Sequence, residues 1–406
     1  MKRRGLCGAV LLLAIIGGFS AAADAQARAA TGSPHPLVGA IRWDAWYGAL
    51  PDTARPPASV PYPGFDPARN RLVSQDPGKE TQRSLSAEPW RYRWPFFTAL
   101  SAEGTAQAFN GNRPEVLEKE IDDAARGGLD YWAFTAYPEP APLSYTLKTF
   151  LTCKNRDKLK FCLFVPLWPA YGRIPDSGAE QAYWAYLLRM VRQPNYLKVQ
   201  GARPVLCMGF FNSELAKKIL EGPWPSFTNE LARCGLGKPY LVICEGSPKT
   251  AKRYSDLFGG DALSAYAIAS SQAKGAPFSE LAAHAETFWE SCEATGTPAA
   301  PICMTGWDHR PRVMSPVSWE SYQLQKDADQ YYFKQGSPEE LAAHVGRGVA
   351  WYKKHPGKKG TELVLIYAWN EFDEGGWLVP ALPPPQGEGA ARIDALRKVL
   401  VPGSKP

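Results

Sequence analysis

The stretch ELVLIYAWNEFDEGG (362–376) decides the fold. It opens as an uninterrupted apolar run of strand length and ends abruptly in Asn370 and Glu371, with Asp373 and Glu374 close behind. A strand that is apolar at every position is covered on both faces, which is the signature of a parallel sheet wrapped in helices. Seven earlier runs have the same character: LVGAIRW (37–43), GLDYWAF (128–134), KFCLFVPL (160–167), RPVLCMGF (203–210), PYLVIC (239–244), ALSAYAI (262–268) and AAPICMTG (299–306).

Between these runs lie Ala-rich or amphipathic stretches such as RPEVLEKEIDDAARGG, EQAYWAYLLRMVRQ and SPEELAAHVGRGVAWYKKHPG. Several open on Ser or Pro-Glu and end near Gly, as helices do. A last helix, GEGAARIDALRKVL, follows the eighth run. Eight strand–helix units favour an α/β fold of the closed (β/α)8 TIM-barrel type over an open doubly wound sheet. No GxGxxG or phosphate loop follows any strand, which argues against nucleotide binding.

One segment breaks the repeat. Residues 51–109 are rich in Pro, Arg and aromatics, as in AEPWRYRWPFF (87–97), and read as a long insertion after the first strand that folds over the barrel mouth. The N-terminus reads as an address. Lys2, Arg3 and Arg4 precede an apolar run from Gly5 to Phe19, and small residues then place cleavage after Ala25 or Ala27. Residues 1–27 are therefore expected to be a signal peptide and 28–406 a single catalytic domain. The protein is expected to be secreted or periplasmic, with no membrane span after cleavage.

The net charge of the 406-residue chain is +6, and its Lys and Arg are scattered. Clusters such as KNRDKLK suit solvated helix ends better than nucleic acid, which is not an expected partner. Beyond Cys7, seven cysteines remain, with no CxxC and no zinc-like Cys/His spacing, so neither metal nor organic cofactor is expected. Four of them, Cys162, Cys207, Cys244 and Cys303, sit in apolar runs where a buried thiol is as natural as a disulfide.

In a (β/α)8 barrel the chemistry sits at the C-terminal strand ends. Those ends carry Trp43, Asp44, Trp46 and Tyr47; Tyr137 and Glu139; Trp168 and Tyr171; Asn212; Glu245; Tyr266; Trp307, Asp308, His309, Arg310 and Arg312; and Asn370, Glu371, Asp373, Glu374 and Trp377. The inventory is carboxylates, amides and aromatic rings, with no Ser-His elbow and no HExxH. Glycosidic cleavage asks for this set: one carboxyl group to protonate the leaving oxygen, a second as base or nucleophile, and aromatic walls. Glu371 and Glu374 are three residues apart, so a helical turn would set their Cβ atoms roughly 5–6 Å from each other. Two carboxylates that close repel, and one of them then keeps its proton near neutral pH. The competing reading is a capping pair in a solvated turn.

At these residues the chain resembles the glycoside hydrolase family 99-like and WbsX-like proteins, a group that includes endo-α-mannosidases. YLKVQGARPVL (196–206), GWDHRPR (306–312) and AWNEFDEG (368–375) carry the resemblance. It implies a (β/α)8 barrel and a retaining mechanism through an anhydro-sugar. Glu371 would deprotonate the sugar's own 2-hydroxyl, Glu374 would be the general acid/base, and Asn370 would orient them. Trp43, Asp44, Tyr137, Trp168, Trp307, Asp308 and Arg310 would line the cleft for an oligosaccharide or polysaccharide. Phe372 and Asp373 stand where the mannosidases have Trp and His, so the sugar and its linkage do not carry over. A glycosyltransferase or transglycosylase of surface polysaccharide metabolism, and a non-catalytic carbohydrate-binding barrel, are the alternatives.

Overall fold

The computed structural model describes residues 36–48, 76–167, 177–269, 273–320, 322–354, 362–401 and 403. The expected leader (1–27), Trp168 and residues 51–75 of the insertion lie outside them.

All eight runs form strands: β1 (Leu37–Arg42), β2 (Tyr131–Thr135), β3 (Lys160–Pro166), β4 (Arg203–Gly209), β5 (Tyr240–Cys244), β6 (Ala262–Ser264), β7 (Ile302–Met304) and β8 (Leu363–Tyr367). Each pairs in parallel with its neighbours in the order β7-β8-β1-β2-β3-β4-β5-β6. The Leu263 N–H donates to Pro298 O at 2.9 Å and the Ala300 N–H to Leu263 O at 2.7 Å, which joins β6 to the residues leading into β7 and closes the ring. β6 and β7 are shorter than their apolar runs because the chain leaves the ladder early there. Residues 265–268 instead pack at the barrel mouth, bringing Tyr266 toward the axis.

The helices bury the faces their patterns foretell. In Pro114–Arg126, Val116, Leu117, Glu120, Ile121 and Ala124 point inward, and proline occupies the first turn, where its missing N–H costs nothing. Glu120 and Asp123 are the polar residues buried with them; Glu120 pairs with Arg42 of β1 at 2.6 Å and Asp123 with Lys119 at 2.7 Å. Helix Ser213–Glu221 is capped by the Asn212 side chain, which accepts from the N–H groups of Glu214 and Leu215. Cys153, Cys162, Cys207, Cys234, Cys244, Cys292 and Cys303 are all free thiols, six of them buried. Among the described residues no helix is long and apolar enough to cross a membrane.

The described part of the insertion, residues 76–109, is packed structure. It comprises helix Pro77–Leu85, a 3-10 turn at Glu88–Arg93, and an antiparallel hairpin of Thr98–Leu100 with Ala106–Phe109. It is docked onto the loops after β7 and β8. Ser84 Oγ donates to Asp373 at 2.8 Å, and the Arg93 guanidinium holds the Asp308 carboxylate, Asp308 O (3.0 Å) and Phe372 O (3.3 Å). Backbone bonds from Phe96 to Pro380 (2.9 Å) and from Leu382 to Trp94 (2.8 Å) complete the attachment.

Candidate active site

The loops after β7 and β8 approach so closely that only glycine fits between them. A Cβ on Gly306 would lie 1.9 Å from Gly375 O, and one on Gly375 would lie 2.7 Å from Asp308 N. Gly375 also adopts a φ of +83°, which side-chain-bearing residues disfavour. This contact lets the Asp308 N–H donate to Glu374 O at 2.7 Å and fixes the two loops as one surface.

On that surface Glu371 and Glu374 come together. A two-residue antiparallel pairing, Asn370–Glu371 with Gly376–Trp377, and a 3-10 turn at Phe372–Glu374 set their directions. Glu371 is 2% exposed. The Tyr266 O–H donates to its Oε1, while its Oε2 lies 4.0 Å from the Arg312 guanidinium without a hydrogen-bond partner. The Glu374 side chain is 12% exposed and accepts from the Tyr367 O–H and from Arg312, with His309 Nε2 at 3.5 Å.

These surroundings separate the two acids. Burial, reinforced by the Glu374 charge, pushes the Glu371 carboxyl well above the usual carboxylate range, and Arg312 and Tyr266 offset this only in part. Burial also acts upward on Glu374. There the Arg312 guanidinium, His309 and the Tyr367 hydroxyl outweigh it and hold the carboxyl below its ordinary value. The surroundings therefore push the two carboxyl groups apart, Glu371 toward keeping its proton and Glu374 toward losing it, a division that environment alone can impose on paired carboxylates.

Arg312 organises the cluster. Its side chain is 1% exposed and binds Asp373 through two bonds of 2.8 and 3.0 Å. It also bonds Glu374 and Glu320, and lies 5.5 Å from the Trp43 ring and 5.7 Å from the Trp319 ring. A guanidinium fork can serve several carboxylates in this way where an ammonium would serve one. Donor atoms of His309, Glu320 and Glu374 lie within 4.8 Å of one another. Arg312 already supplies the positive charge a metal would bring there, and we read the trio as acid–base groups.

The other expected site residues fall into two sets. Trp43 and Tyr137 stand together beside the cluster, the Trp43 indole donating to Tyr137 Oη at 2.7 Å, and Trp307 packs on His309 with ring centroids 4.2 Å apart. Asn370 and Asp44 lie beneath. Asn370 accepts from the Trp43 N–H (2.9 Å), donates to Asp44 (3.3 Å) and through its carbonyl takes the Trp46 indole N–H (2.7 Å). Asn370 thus ties the end of β8 to that of β1 without touching either acid's carboxylate, and Asp44 is held by Arg42 at 2.7 Å. Asp308 is buried between Arg93 and Arg310. Arg310 stacks on Tyr332 at 3.5 Å and lines a cleft of about 550 Å³ with Trp90, Lys274 and Asp329, whose lining includes neither Glu371 nor Glu374.

Sequence reasoning leaves Tyr266, His309 and Arg312 among many strand-end candidates, and their positions relative to strand ends were the signal. Tyr367 is hidden inside an apolar run, and Glu320 has no local signal at all.

No protein-family model matches the chain, and no curated protein matches it. Among solved structures, the GH99 endo-alpha-mannosidase from Bacteroides thetaiotaomicron is similar over 91% of this chain and 96% of its own, with a TM-score of 0.52 and 14% identity. A glycoside hydrolase-like protein is similar over 90% of this chain and 94% of its own, with a TM-score of 0.51 and 10% identity. At such identities the likeness is one of fold, and it extends over nearly the whole of each chain. The chain is a (β/α)8 barrel whose fold is similar to that of the GH99 endo-alpha-mannosidase.

Proposed function

We propose that the protein is a secreted or periplasmic retaining glycoside hydrolase, endo-acting on a polysaccharide or glycan, with Glu371 and Glu374 as its catalytic pair. The observation that carries this reading is the pair itself. Two carboxyl groups, Glu371 and Glu374, are gathered at the rim of the barrel, one held by Tyr266 and the other by Tyr367 and Arg312.

The resemblance to the family 99-like proteins supplies the roles. Glu371 takes the proton of the sugar's 2-hydroxyl as that oxygen attacks C1. The bond from C1 to the leaving oxygen breaks, and Glu374 protonates that oxygen. Water then opens the anhydro-sugar, giving its proton to Glu374, and Glu371 returns one to the 2-oxygen. Attack by the internal nucleophile and then by water inverts C1 twice, so configuration is retained. This cycle starts with Glu371 ionised and Glu374 protonated, opposite to the directions in which their surroundings push them, so substrate binding must leave Glu371 able to take a proton and put one on Glu374. Trp43, Tyr137 and Trp307 would line the sugar cleft. Asp373, standing where the mannosidases have His, holds Arg312, so this subsite is built around a buried ion pair.

Screening bacterial and plant polysaccharides with product analysis by mass tests the activity. Glu374→Gln should then slow cleavage of the hydrolysed glycan by roughly 10²- to 10⁴-fold, the usual contribution of a positioned acid, with the melting temperature near wild type. Full turnover by this variant would remove Glu374 from the mechanism. A sugar rather than water as final acceptor would make the enzyme a transglycosylase.

A further inference from the structure

Glu374 must gain a proton before it can act as an acid, and a third carboxyl group stands close enough to provide it. We propose that Glu320 supplies this proton through the imidazole of His309. The inference rests on the reading of Glu374 as the general acid.

The three side chains form a compact cluster in which His309 faces both carboxyl groups. Glu320 Oε2 is 3.8 Å from His309 Nδ1, and His309 Nε2 is 3.5 Å from Glu374 Oε2. The two ring nitrogens thus face two different carboxyl groups, the arrangement that lets an imidazole pass a proton by exchanging tautomers. Both contacts are longer than hydrogen bonds, as catalytic contacts commonly are before substrate binds, and the transfer requires them to shorten. The ring is held for this task. Trp307 packs against it, and the His309 carbonyl accepts from the N–H groups of Arg312 (2.9 Å) and Val313 (3.1 Å), which anchors its backbone in the first turn of helix Arg310–Met314.

Arg312 makes the transfer electrostatically neutral. Its Nη1 bonds Glu320 Oε1 and Glu374 Oε1 alike, leaving the other oxygen of each toward His309. In the transfer the Glu320 O–H bond breaks and a proton joins Nδ1, while the Nε2–H bond breaks and its proton joins Glu374 Oε2. Negative charge moves from Glu374 to Glu320 and remains on the same guanidinium.

The protonation states agree. Burial pushes the Glu320 carboxyl up to about 8, with Arg312 opposing and Glu374 and Asp373 reinforcing it, so it carries a proton at neutral pH. Burial brings the His309 imidazole down to about 4 despite Glu374, Asp373 and Asp308, with Arg312 acting in the same direction as burial. The ring is therefore neutral and carries one N–H. Donor, carrier and acceptor are each in the state the transfer requires.

Infrared spectroscopy of the full-length protein with ¹³C-labelled glutamate tests the first half without substrate. At neutral pH the wild type should show protonated-carboxyl bands, one absent in Glu320→Gln and another absent in Glu371→Gln. A Glu320→Gln spectrum identical to wild type would overturn the proposal, whether or not any glycan is cleaved. Kinetics test the second half. Glu320→Gln should slow the natural glycan roughly 10²-fold, the lower range for acid catalysis, and should lower the alkaline limb of its pH profile. An aryl glycoside of the sugar the wild type releases, whose leaving group needs no proton, should be slowed far less. Glu320→Asp, which keeps a titrating carboxyl group, should recover part of the glycan rate. Equal slowing of both substrates, or an unmoved alkaline limb, would mean that Glu320 only supports the fold and that Glu371 or water provides the proton. A wild type that cleaves no glycan would sink the proposed function and leave the spectroscopic result standing.

Discussion

Replacing Arg312 with Met is the most informative single perturbation of this protein. The side chain is fully buried and is bonded to Asp373 twice, to Glu374 and to Glu320, with Glu371 at 4.0 Å. Methionine fills similar volume but supplies no charge, so at least two carboxylates lose their counter-ion inside the protein. Breaking one buried pair in this way costs about 3–5 kcal/mol. That is a large part of the roughly 5–15 kcal/mol by which native proteins are stable.

The loss should depend on pH, and its sign follows from linkage. In the wild type Arg312 is the largest influence holding Glu374 below its ordinary value of 4.5. Without it, burial dominates and the folded carboxyl rises above its unfolded value. A carboxyl shifted in that direction leaves stability intact below the unfolded value and removes it as pH rises through the folded one. Chemical denaturation at about pH 5 and about pH 8 should therefore find the variant closer to wild type at the acid end. A loss under about 1 kcal/mol, or one equal at both pH values, would show that Arg312 does not carry the charge balance assigned to it.

Two smaller perturbations probe the neighbours. Tyr266→Phe removes the hydroxyl donated to Glu371 and so raises that carboxyl further. A hydrogen bond to a charged group is worth about 1.5–3 kcal/mol, so the acid limb of kcat/KM should move up by roughly one to two pH units. An unmoved limb would remove Glu371 as the base. Gly375→Ala places a Cβ 2.7 Å from Asp308 N at a φ of +83°. The backbone conformation alone costs about 1–2 kcal/mol, read from the denaturation midpoint. Activity should fall more than stability does, because the displaced turn carries Glu374. Wild-type stability and turnover in that variant would mean the loop contact is dispensable.

Much of this site was written locally. The eight apolar runs became the eight strands because an uninterrupted apolar stretch of that length is stable only when covered on both faces, and helices between the runs supply the cover. The pair Glu371 and Glu374 was legible because polar residues placed directly after a buried strand must face the rim. The roles of Asn370 and Asp44 were not. Both sit at strand ends as a binding residue would, yet Asn370 bonds Trp43, Asp44 and Trp46, which the fold brings from the far end of the chain, and Asp44 is held by its neighbour Arg42.

The sequence by itself determined the barrel, the rim at which the chemistry gathers and the two acids placed there, since each depends on patterns a few residues long. Only the tertiary structure decided in which direction each acid is pushed, that Arg312 stands among four carboxyl groups, and that Glu320 and His309 join them. Protonation in a buried cluster is set by burial and by charges within a few ångströms. Those charges come from the connection after β7, which carries His309, Arg312 and Glu320, and from the loop after β8, which the pairing of these two strands sets side by side.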